Sequence, residues 1–290
     1  MVIASEPAAL EPYDPATEYA SLRIGRRGYV VEVMLTGPGK GNAMGPDLWR
    51  ELPTVFGRLD DDDSVRAIVI SGSGRNFSYG LDLPAMMGEI AGTQNDPDGG
   101  LARARTRFLH RLRTMQHAFD AVAACRKPVA AAVAGWCIGA GVDLLAACDV
   151  RYASADARFS VREVKVAIVA DLGSLQRLPA IIGDGHLREL ALTGKDIDAS
   201  RAAAIGLVND VLSDREATLA AAHTFADEVA DNPPLVVQGI KEVLDAGRVE
   251  QVRAGLRYVG AWNAAFLPSH DLTEAVTAFM ERRPPEYQGR

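Results

Sequence analysis

The sequence is short of cysteine and of long apolar runs. It holds three cysteines in 290 residues, and Cys125, Cys137 and Cys148 show no CxxC spacing. An odd number of cysteines in alanine-rich surroundings is typical of reduced, buried thiols and argues against a disulfide framework or a redox pair. No uninterrupted apolar run reaches the roughly 18 residues of a membrane-spanning helix, so we expect no membrane partner. The five histidines are scattered without ligand spacing, and we expect no bound metal.

Basic charge is also scarce. The chain has 31 Lys and Arg against 38 Asp and Glu, which gives a net charge of −7 and an isoelectric point near 5.3. Nucleic-acid binding needs a basic surface, so we expect no nucleic-acid partner. The opening MVIASEPAALEPYDPATEYA lacks the basic and apolar regions of a secretory signal, and the final YQGR is not a peroxisomal address. These features predict a cytoplasmic protein.

Apolar patterns predict an α/β fold. SLRIGRRGYVVEVML predicts two strands that turn at GRRG, with Tyr29, Val31, Val33 and Leu35 on one face. VRAIVISGSG and KPVAAAVAG predict buried strands that end in glycine, and PDLWRELPTVFGRLDDDD predicts a helix with Pro46 near its start. From about residue 180 the pattern is mostly helical. Strands and helices joined at glycines are typical of an α/β fold with crossover connections.

Two glycine-containing turns share one layout. GSGRNFSYGLDL (72–83) and GWCIGAGVDL (135–144) each follow an apolar strand and end in an apolar residue, Asp and Leu. Such turns let a ligand approach main-chain N–H groups closely, so two facing turns form a site for a carbonyl oxygen as it becomes an oxyanion. Glycine spacing alone favours the alternative of two ordinary strand-to-helix turns. Neither turn has the GxGxxG or P-loop pattern, so a nicotinamide or ATP cofactor has weak support.

Two carboxylates lie at the ends of a short apolar run. In VREVKVAIVADLGSLQRLP, mostly apolar residues separate Glu163 from Asp171, and Asp143 follows the second turn. A buried carboxylate is costly, so it usually has a partner or a task. Each acid also has an ordinary structural explanation. Asp143 is favoured near the start of a helix, Asp171 reads as a helix N-cap, and Glu163 can pair with Arg162 or Lys165 on the surface.

The turns and the acidic segment together resemble the enoyl-CoA hydratase/isomerase (crotonase) family. GSGRNFSYGLDL resembles the family's first oxyanion-hole segment, and KPVAAAVAGWCIGAGVDLLAACDVRYAS resembles its second. Within the family, the chain is most similar to the Δ3,5-Δ2,4-dienoyl-CoA isomerases, from about Ser21 to Arg282. That similarity includes GKGNAMGPDLWREL, VREVKVAIVADLGSLQRLP and YVGAWNAAFLPSHDL.

The resemblance implies a fold and an assembly. The implied fold is α/β, a crotonase-like spiral of ββα units with a C-terminal helical trimerisation region, and the implied assembly is a homotrimer or a homohexamer made of two trimers. The expected divisions are a flexible N-terminal arm at 1–20, the ββα spiral core at 21–205 and the C-terminal helical region at 206–290. Family members bind acyl-CoA thioesters. No separate cofactor is expected, because coenzyme A is part of the substrate.

The resemblance also implies roles for single residues. The main-chain N–H groups of Leu81 and Ala140 would stabilise the thioester enolate, and most relatives have Gly at the Ala140 position. Asp143, Glu163 and Asp171 fall on the three acidic positions that mark the dienoyl-CoA isomerases. Further contacts with the substrate or its coenzyme A moiety are implied for Ala43, Met44, Tyr79, Gly80, Asp82 and Leu83.

These positions predict proton-transfer chemistry. Converting a 3,5-dienoyl thioester into its 2,4-dienoyl isomer removes a proton from C2 and delivers one to C6 through a conjugated dienolate. Glu163 and Asp171 would serve one end each, and Asp143 would support Glu163 within a coupled set. An enoyl-CoA hydratase is the first alternative; Asp171 argues against it, because hydratases carry Gly there. A non-catalytic acyl-CoA-binding oligomer is the second alternative.

Overall fold

A sheet of seven strands lies at the centre of the described fold. The computed structural model describes residues 10–14, 16–86 and 100–290. The strands of this main sheet are, in the order in which they pair, β1 (Glu11–Pro12), β2 (Leu22–Arg27), β3 (Val30–Leu35), β4 (Ala67–Gly72), β5 (Val129–Val133), β7 (Val150–Ser154) and β10 (Asp210–Leu212). The pairs from β1 to β3 are antiparallel, and those from β3 to β10 are parallel.

A smaller sheet holds the strands β6 (Trp136–Ile138), β8 (Arg158–Ser160) and β9 (Ile197–Asp198), paired in that order. β6 and β8 are parallel, and β8 and β9 are antiparallel. β5 and β7 each run into a strand of this smaller sheet, and a helix follows. An isolated bridge between Ser78 and Cys137 brings the chain after β4 alongside β6 in the same way. This repetition confirms the predicted α/β fold of ββα units.

Much of the remaining described chain is helical. The helices are α1 (Pro46–Asp61), α2 (Gly100–Ala124), α3 (Ala140–Ala146), α4 (Ser174–Arg177), α5 (Pro179–Ile182), α6 (Asp184–Thr193), α7 (Ala199–Ala204), α8 (Arg215–Ala230), α9 (Pro234–Ala246), α10 (Val249–Phe266) and α11 (His270–Glu281). Short 3-10 helices lie at Gly39–Gly41 and Glu163–Val166. Pro46 occupies the first position of α1, where the missing N–H costs no helical hydrogen bond. Of the helices described, none is both long and apolar enough to cross a bilayer.

The main sheet is buried on both faces. On one face, alternate residues such as Val31, Val33 and Ile70 enter the large hydrophobic core. On the other face, a second cluster joins the sheet to the alanine-rich side of α8. It consists of Val30, Ala67, Val69, Ala130 and Ala132 with Ala222, Ala226 and Ala230. Burial on both faces explains why these strands are apolar at nearly every position.

The predicted hairpin at GRRG is present, with one difference. β2 and β3 pair antiparallel, and Arg27 lies opposite Val30. Tyr29, predicted on the same face as Val31, lies instead in the turn and is 49% exposed. The Arg66 guanidinium carbon lies 3.9 Å from the centre of the Tyr29 ring. A cation–π contact at the surface therefore accommodates this ring in place of the core.

The segments predicted as an N-terminal arm and a C-terminal helical region both contact the main sheet. Residues 1–9 and 15 of the predicted arm lie outside the described residues. In its described part, β1 pairs with β2, and the Tyr13 hydroxyl donates a 2.9 Å hydrogen bond to Asp62. Beyond residue 205, β10 joins the main sheet and α8 covers one of its faces. The domain boundaries at 20 and 205 stay predictions.

Candidate active site

One cavity of about 650 Å³ collects most of the predicted site residues. Those that line it are Ala43, Tyr79, Leu81, Asp82, Leu83, Ala140, Asp143, Glu163 and Asp171. Apolar side chains from other parts of the chain complete its wall, among them Met86, Phe108, Leu112, Met115, Leu172, Leu267 and Phe279. An apolar cavity into which a few polar groups converge is the usual form of a small-molecule site.

The two glycine-containing turns lie directly against each other. The Ser78 carbonyl accepts a hydrogen bond from the Ile138 N–H at 3.0 Å, and the Ser78 N–H donates to Trp136 at 2.9 Å. Gly80 has a φ of +80°. A Cβ atom on Gly80 would lie 2.6 Å from the Ile138 carbonyl oxygen and 3.1 Å from the Ala140 nitrogen. Glycine meets both requirements, the backbone angle and the close approach, without strain.

Two main-chain N–H groups of these turns belong to residues at the cavity wall. Leu81 follows Gly80, and Ala140 is the first residue of α3. Within the described chain, neither N–H donates a hydrogen bond to a backbone carbonyl. Alanine is well accommodated in a helix, so its presence at 140 leaves the N–H available. Two such donors suit a carbonyl oxygen that gains negative charge.

Asp143 is a fully buried carboxylate at the cavity wall. Its Oδ1 accepts a 2.5 Å hydrogen bond from the main-chain N–H of Ser174, the first residue of α4. Burial raises the pKa of Asp143 above its usual value, and the main-chain hydrogen bond from Ser174 counteracts part of that rise. Its Oδ2 is buried without a hydrogen-bond partner among the described residues. Oδ1 of Asp143 is therefore used in a structural hydrogen bond to α4, whereas Oδ2 is available to bind a proton.

Glu163 begins the short helix Glu163–Val166 and lies next to the second turn. Its Oε1 lies 3.6 Å from the point that a Cβ atom would occupy on Gly139, the residue before Ala140. Burial raises the pKa of Glu163 well above its usual value, and the charge of Asp143 raises it further. The carboxyl groups of Asp143 and Glu163 therefore ionise as a pair, in which the first charge opposes the second.

Asp171 lines the same cavity and has two polar contacts from helices. Its Oδ2 accepts a 2.7 Å hydrogen bond from Asn263 Nδ2, and its main-chain carbonyl accepts a 2.8 Å hydrogen bond from Gln116 Nε2. Burial raises the pKa of Asp171 to about 7, with the Asn263 hydrogen bond opposing the rise and the charge of Asp143 adding to it. Asp171 is therefore able to gain or lose a proton near neutral pH.

The ordinary structural explanations account for these acids only in part. Asp143 does lie in the first turn of α3, but its hydrogen bond goes to the start of α4. Asp171 is not an N-cap, because the residue before α4 is Gly173 and no side chain caps that end. Glu163 forms no salt bridge with Arg162 or Lys165 among the described residues, and Arg162 pairs with Asp196 at the surface.

The predicted substrate contacts divide into two groups. Ala43, Tyr79, Asp82 and Leu83 line the cavity, whereas Met44 and Gly80 lie behind its lining. Met44 is 1% exposed and packs in the hydrophobic core. Its main chain ties the first turn together, since its N–H donates to the Gly80 carbonyl at 2.8 Å and its carbonyl accepts from the Asp82 N–H at 3.0 Å. Side chains of extended chain alternate between two sides, so Ala43 lines the cavity and Met44 enters the core.

Tyr79 and Asp82 also have contacts of their own. The Tyr79 ring packs on Gly41, where a Cβ atom would lie 2.1 Å from a ring carbon, and it is 46% exposed. Asp82 Oδ1 accepts a 3.1 Å hydrogen bond from the Ala85 N–H, which caps the helical turn that begins at Leu83. One oxygen of the Asp82 carboxylate is therefore engaged with the protein.

Gln116 and Asn263 have no role predicted from the sequence. Both side chains are buried, and each donates a hydrogen bond to Asp171. Asn263 follows Leu256 and Val259 on the buried side of α10. A polar residue on the apolar side of an amphipathic helix needs a buried partner, which is the signal that the sequence offers. The identity of that partner depends on the packing of distant elements.

The chain is similar to proteins of a known family. Residues 25–290 match the family model Enoyl-CoA hydratase/isomerase. The peroxisomal Delta(3,5)-Delta(2,4)-dienoyl-CoA isomerase of Arabidopsis thaliana is 40% identical over 93% of this chain and 97% of its own length. The mitochondrial Delta(3,5)-Delta(2,4)-dienoyl-CoA isomerase of Homo sapiens is 40% identical over 93% of this chain and 82% of its own length.

The fold is also similar to that of solved structures. The crystal structure of an enoyl-CoA hydratase/isomerase from Pseudoalteromonas atlantica has a TM-score of 0.79 at 28% identity, and the match covers 92% of this chain and all of that one (100%). An enoyl-CoA hydratase/isomerase from Mycobacterium paratuberculosis has a TM-score of 0.78 at 30% identity and covers 89% of this chain and 97% of its own.

These comparisons correct one prediction and settle the family. The prediction of a cytoplasmic protein is wrong by this evidence, because the similar isomerases of Arabidopsis thaliana and Homo sapiens are named peroxisomal and mitochondrial. Reduced cysteines and the residues at the two ends of the chain, on which that prediction relied, do not report the compartment. The family model extends over most of the chain, and relatives are 40% identical along 93% of it. The chain therefore belongs to the enoyl-CoA hydratase/isomerase family.

Proposed function

We propose that the protein converts a 3,5-dienoyl-CoA into the 2,4-dienoyl-CoA. The observation that carries this proposal is the third carboxylate: Asp171 lines the same cavity as Asp143 and Glu163, beside the N–H groups of Leu81 and Ala140. The names of the similar isomerases from Arabidopsis thaliana and Homo sapiens support it. The reaction moves a proton and two double bonds without a net change of oxidation state, so it requires no redox cofactor.

The N–H groups of Leu81 and Ala140 bind the thioester carbonyl oxygen in this proposal. Loss of a proton from C2 moves negative charge onto that oxygen, and donors already in place stabilise the charge without reorganisation. The removal of one oxyanion-hole donor typically costs about 10²–10³-fold in kcat. The apolar wall contributed by Phe108, Leu172 and Leu267 excludes water from the dienolate and surrounds the acyl chain.

Glu163 removes the proton from C2, and Asp171 delivers one to C6. Glu163 Oε1 lies beside Gly139, next to Ala140, so it is the carboxylate close to the thioester end. A raised pKa makes the ionised Glu163 a stronger base, and a pKa of about 7 lets Asp171 carry a proton at neutral pH. Each turnover leaves Glu163 protonated and Asp171 ionised, so Glu163 releases its proton to solvent and Asp171 takes one up from solvent before the next turnover. Asp143 supports Glu163 by sharing the charge of the pair.

The protein acts as a homotrimer or a homohexamer in this account. The helices after residue 234 expose many large apolar side chains, which is unusual for a monomer. They include Leu235, Val236, Ile240, Val243 and Leu244 on α9 and Tyr258, Trp262 and Phe266 on α10. Burial of such a surface between copies of the chain would remove it from water and hold the C-terminal helices over the cavity.

Ultraviolet absorbance with two substrates tests the proposed function. The purified protein is mixed with a 3,5-dienoyl-CoA and, in parallel, with a trans-2-enoyl-CoA. We expect the band of the conjugated 2,4-dienoyl thioester to grow and the band of the enoyl substrate to stay. Loss of the enoyl band alone would identify a hydratase instead. If neither spectrum changed, the protein would be an acyl-CoA-binding oligomer without this activity.

A further inference from the structure

Asn263 lies at the junction of the C-terminal helices and the cavity. It belongs to α10, and its side chain is 2% exposed. Its Nδ2 donates two hydrogen bonds, one to the Val169 carbonyl at 2.8 Å and one to Asp171 Oδ2 at 2.7 Å. A single amide group therefore holds the main chain before Asp171 and the carboxyl group of Asp171 together.

The charged groups around Asp171 do not replace this contact. Asp143 from α3 and Glu163 from the short helix Glu163–Val166 are carboxylates, so their charges oppose ionisation of Asp171. On α2, Arg111 lines the cavity, and Asp120 pairs with Arg177 of α4. Asn263 is thus a neutral donor that contacts the Asp171 carboxyl group directly, while the charge of the nearby Asp143 opposes ionisation of Asp171. A hydrogen bond to an ionised acceptor is about twice as strong as one between neutral groups.

We propose that Asn263 is the positioning residue for Asp171: its amide fixes the carboxyl group in the cavity and favours the ionised form. This inference rests on the proposed function, in which Asp171 exchanges a proton with C6. In a proton-transfer cycle Asp171 has to be protonated before it donates and ionised afterwards. Without Asn263, burial and the neighbouring carboxylates would keep it protonated, and its rotamer would no longer be fixed.

The sign of the expected pH effect does not depend on the direction of proton transfer. The loss of the Asn263 hydrogen bond raises the pKa of Asp171 from about 7. A limb of the kcat/KM–pH profile that belongs to Asp171 therefore moves to higher pH whether Asp171 acts as an acid or as a base. For a charge-assisted hydrogen bond we expect a shift of about one pH unit.

The test compares Asn263→Ala with Gln116→Ala. Gln116 donates to the main-chain carbonyl of Asp171 and not to its carboxyl group, so it is a matched control for the anchoring of the same residue. We expect Asn263→Ala to lower kcat at least tenfold and to move the limb up by about one unit, and Gln116→Ala to leave the limb in place. The proposal would be overturned if the limb of the kcat/KM–pH profile of Asn263→Ala lay at the wild-type pH. It would also be overturned if the limb moved by the same amount in both variants.

Two further measurements keep the test decisive. If Asn263→Ala does not fold, Asn263→Asp keeps the shape of the side chain and adds a like charge, so the limb has to move up in that variant too. Infrared spectroscopy at different pH values follows the stretching band of the protonated Asp171 carboxyl group without any turnover. The band is assigned to Asp171 because it is missing from Asp171→Asn. If the wild type fails to isomerise a dienoyl-CoA, the proposed function fails. An unchanged infrared titration in both Asn263 variants would refute the role of Asn263 alone.

Discussion

The buried carboxylate of Asp143 accepts a hydrogen bond from the main-chain N–H of Ser174, at 2.5 Å and across 31 positions of sequence. This contact joins α3, which provides the Ala140 N–H, to the segment that follows Asp171. The segments that carry Ala140 and Asp171 are therefore joined by one buried acid. The remaining oxygen of Asp143 has no hydrogen-bond partner among the described residues and contributes to the charge pair with Glu163.

Replacement of Asp143 should change the titration of Glu163. Asp143→Asn removes the charge that raises the pKa of Glu163, so this pKa falls and the corresponding limb of the kcat–pH profile moves to lower pH. We expect kcat to fall by about 10–100-fold, less than the loss expected for a direct proton-transfer group. Asp184→Asn, at an exposed surface pair, is the control and should keep the wild-type profile. A limb that stays in place in Asp143→Asn would contradict the pairing.

A second prediction concerns the contact between the two turns. Gly80→Ala places a Cβ atom 2.6 Å from the Ile138 carbonyl and 3.1 Å from the Ala140 nitrogen, so the donor geometry has to shift. We expect kcat to fall by about 10²–10³-fold, as for the loss of one oxyanion donor. Gly74→Ala is the matched control, because Gly74 has a similar φ of +65° but nothing within 4 Å of its added Cβ. It should cost about 1 kcal/mol of stability and leave kcat unchanged. Equal kcat values for the two variants would rule out this account of the turns.

Glu32 provides a prediction about stability. It is buried on β3, where its carboxylate accepts hydrogen bonds from Ser71 Oγ at 2.6 Å and is 3.0 Å from His223 Nε2 of α8. Burial alone would raise its pKa, but these two partners outweigh burial, so the pKa lies below the usual 4.5. The ionised Glu32 therefore stabilises the fold above about pH 4.5, and this contribution is lost as the pH falls through the lowered pKa.

Glu32→Gln tests that contribution by urea unfolding at several pH values. Removal of one member of a buried charged contact costs about 3 kcal/mol, so we expect a loss of this size at pH 7. The difference from the wild type should shrink as the pH falls below 4.5. Ser71→Ala removes only a neutral donor and should cost about 1 kcal/mol. If the effect of Glu32→Gln were the same at every pH, the ionised state of Glu32 would not matter to the fold.

The proposed assembly predicts the effect of a charge on α9. Val243 is 77% exposed in the single chain, in the middle of the apolar surface of that helix. Val243→Asp would bury a charge if this surface lies between copies, and light scattering should then detect a shift from trimer or hexamer toward monomer. Glu242→Gln on the same helix is the control and should keep the wild-type mass. An unchanged mass for Val243→Asp would exclude this surface from the interface.

Local patterns were sufficient for the strands and the long helices. The alternation in β2 and β3 and the buried runs of β4 and β5 follow directly from which residues prefer a sheet, and Pro46 marks the start of α1. The prediction that Tyr29 lies on a strand face was wrong, because tyrosine is favoured in strands and its type alone does not show that it lies in the turn. The contacts of Tyr29 depend on Arg66, which lies on a different part of the chain.

For the site, the sequence predicted the acidic residues but not the contacts that position them. The three acids were found because they match a family's positions, and the cavity does bring them together. The sequence did not reveal that Asp143 binds Ser174 or that Asn263 reaches Asp171, because both contacts join elements that are distant in the chain. Met44 was assigned to the substrate side, whereas the alternation of an extended segment places it in the core.

The most direct test of the central claim is the position of the proton that the protein adds. The wild type is incubated in D₂O with a 3,5-dienoyl-CoA, and the product is examined by nuclear magnetic resonance. If one carboxylate serves C2 and the other C6, the product is a 2,4-dienoyl-CoA with deuterium at C6. Both Glu163→Gln and Asp171→Asn should lower this turnover by about 10²–10⁴-fold. Deuterium at C4 in a 2,5-dienoyl product, or water added across C2 and C3, would contradict the account.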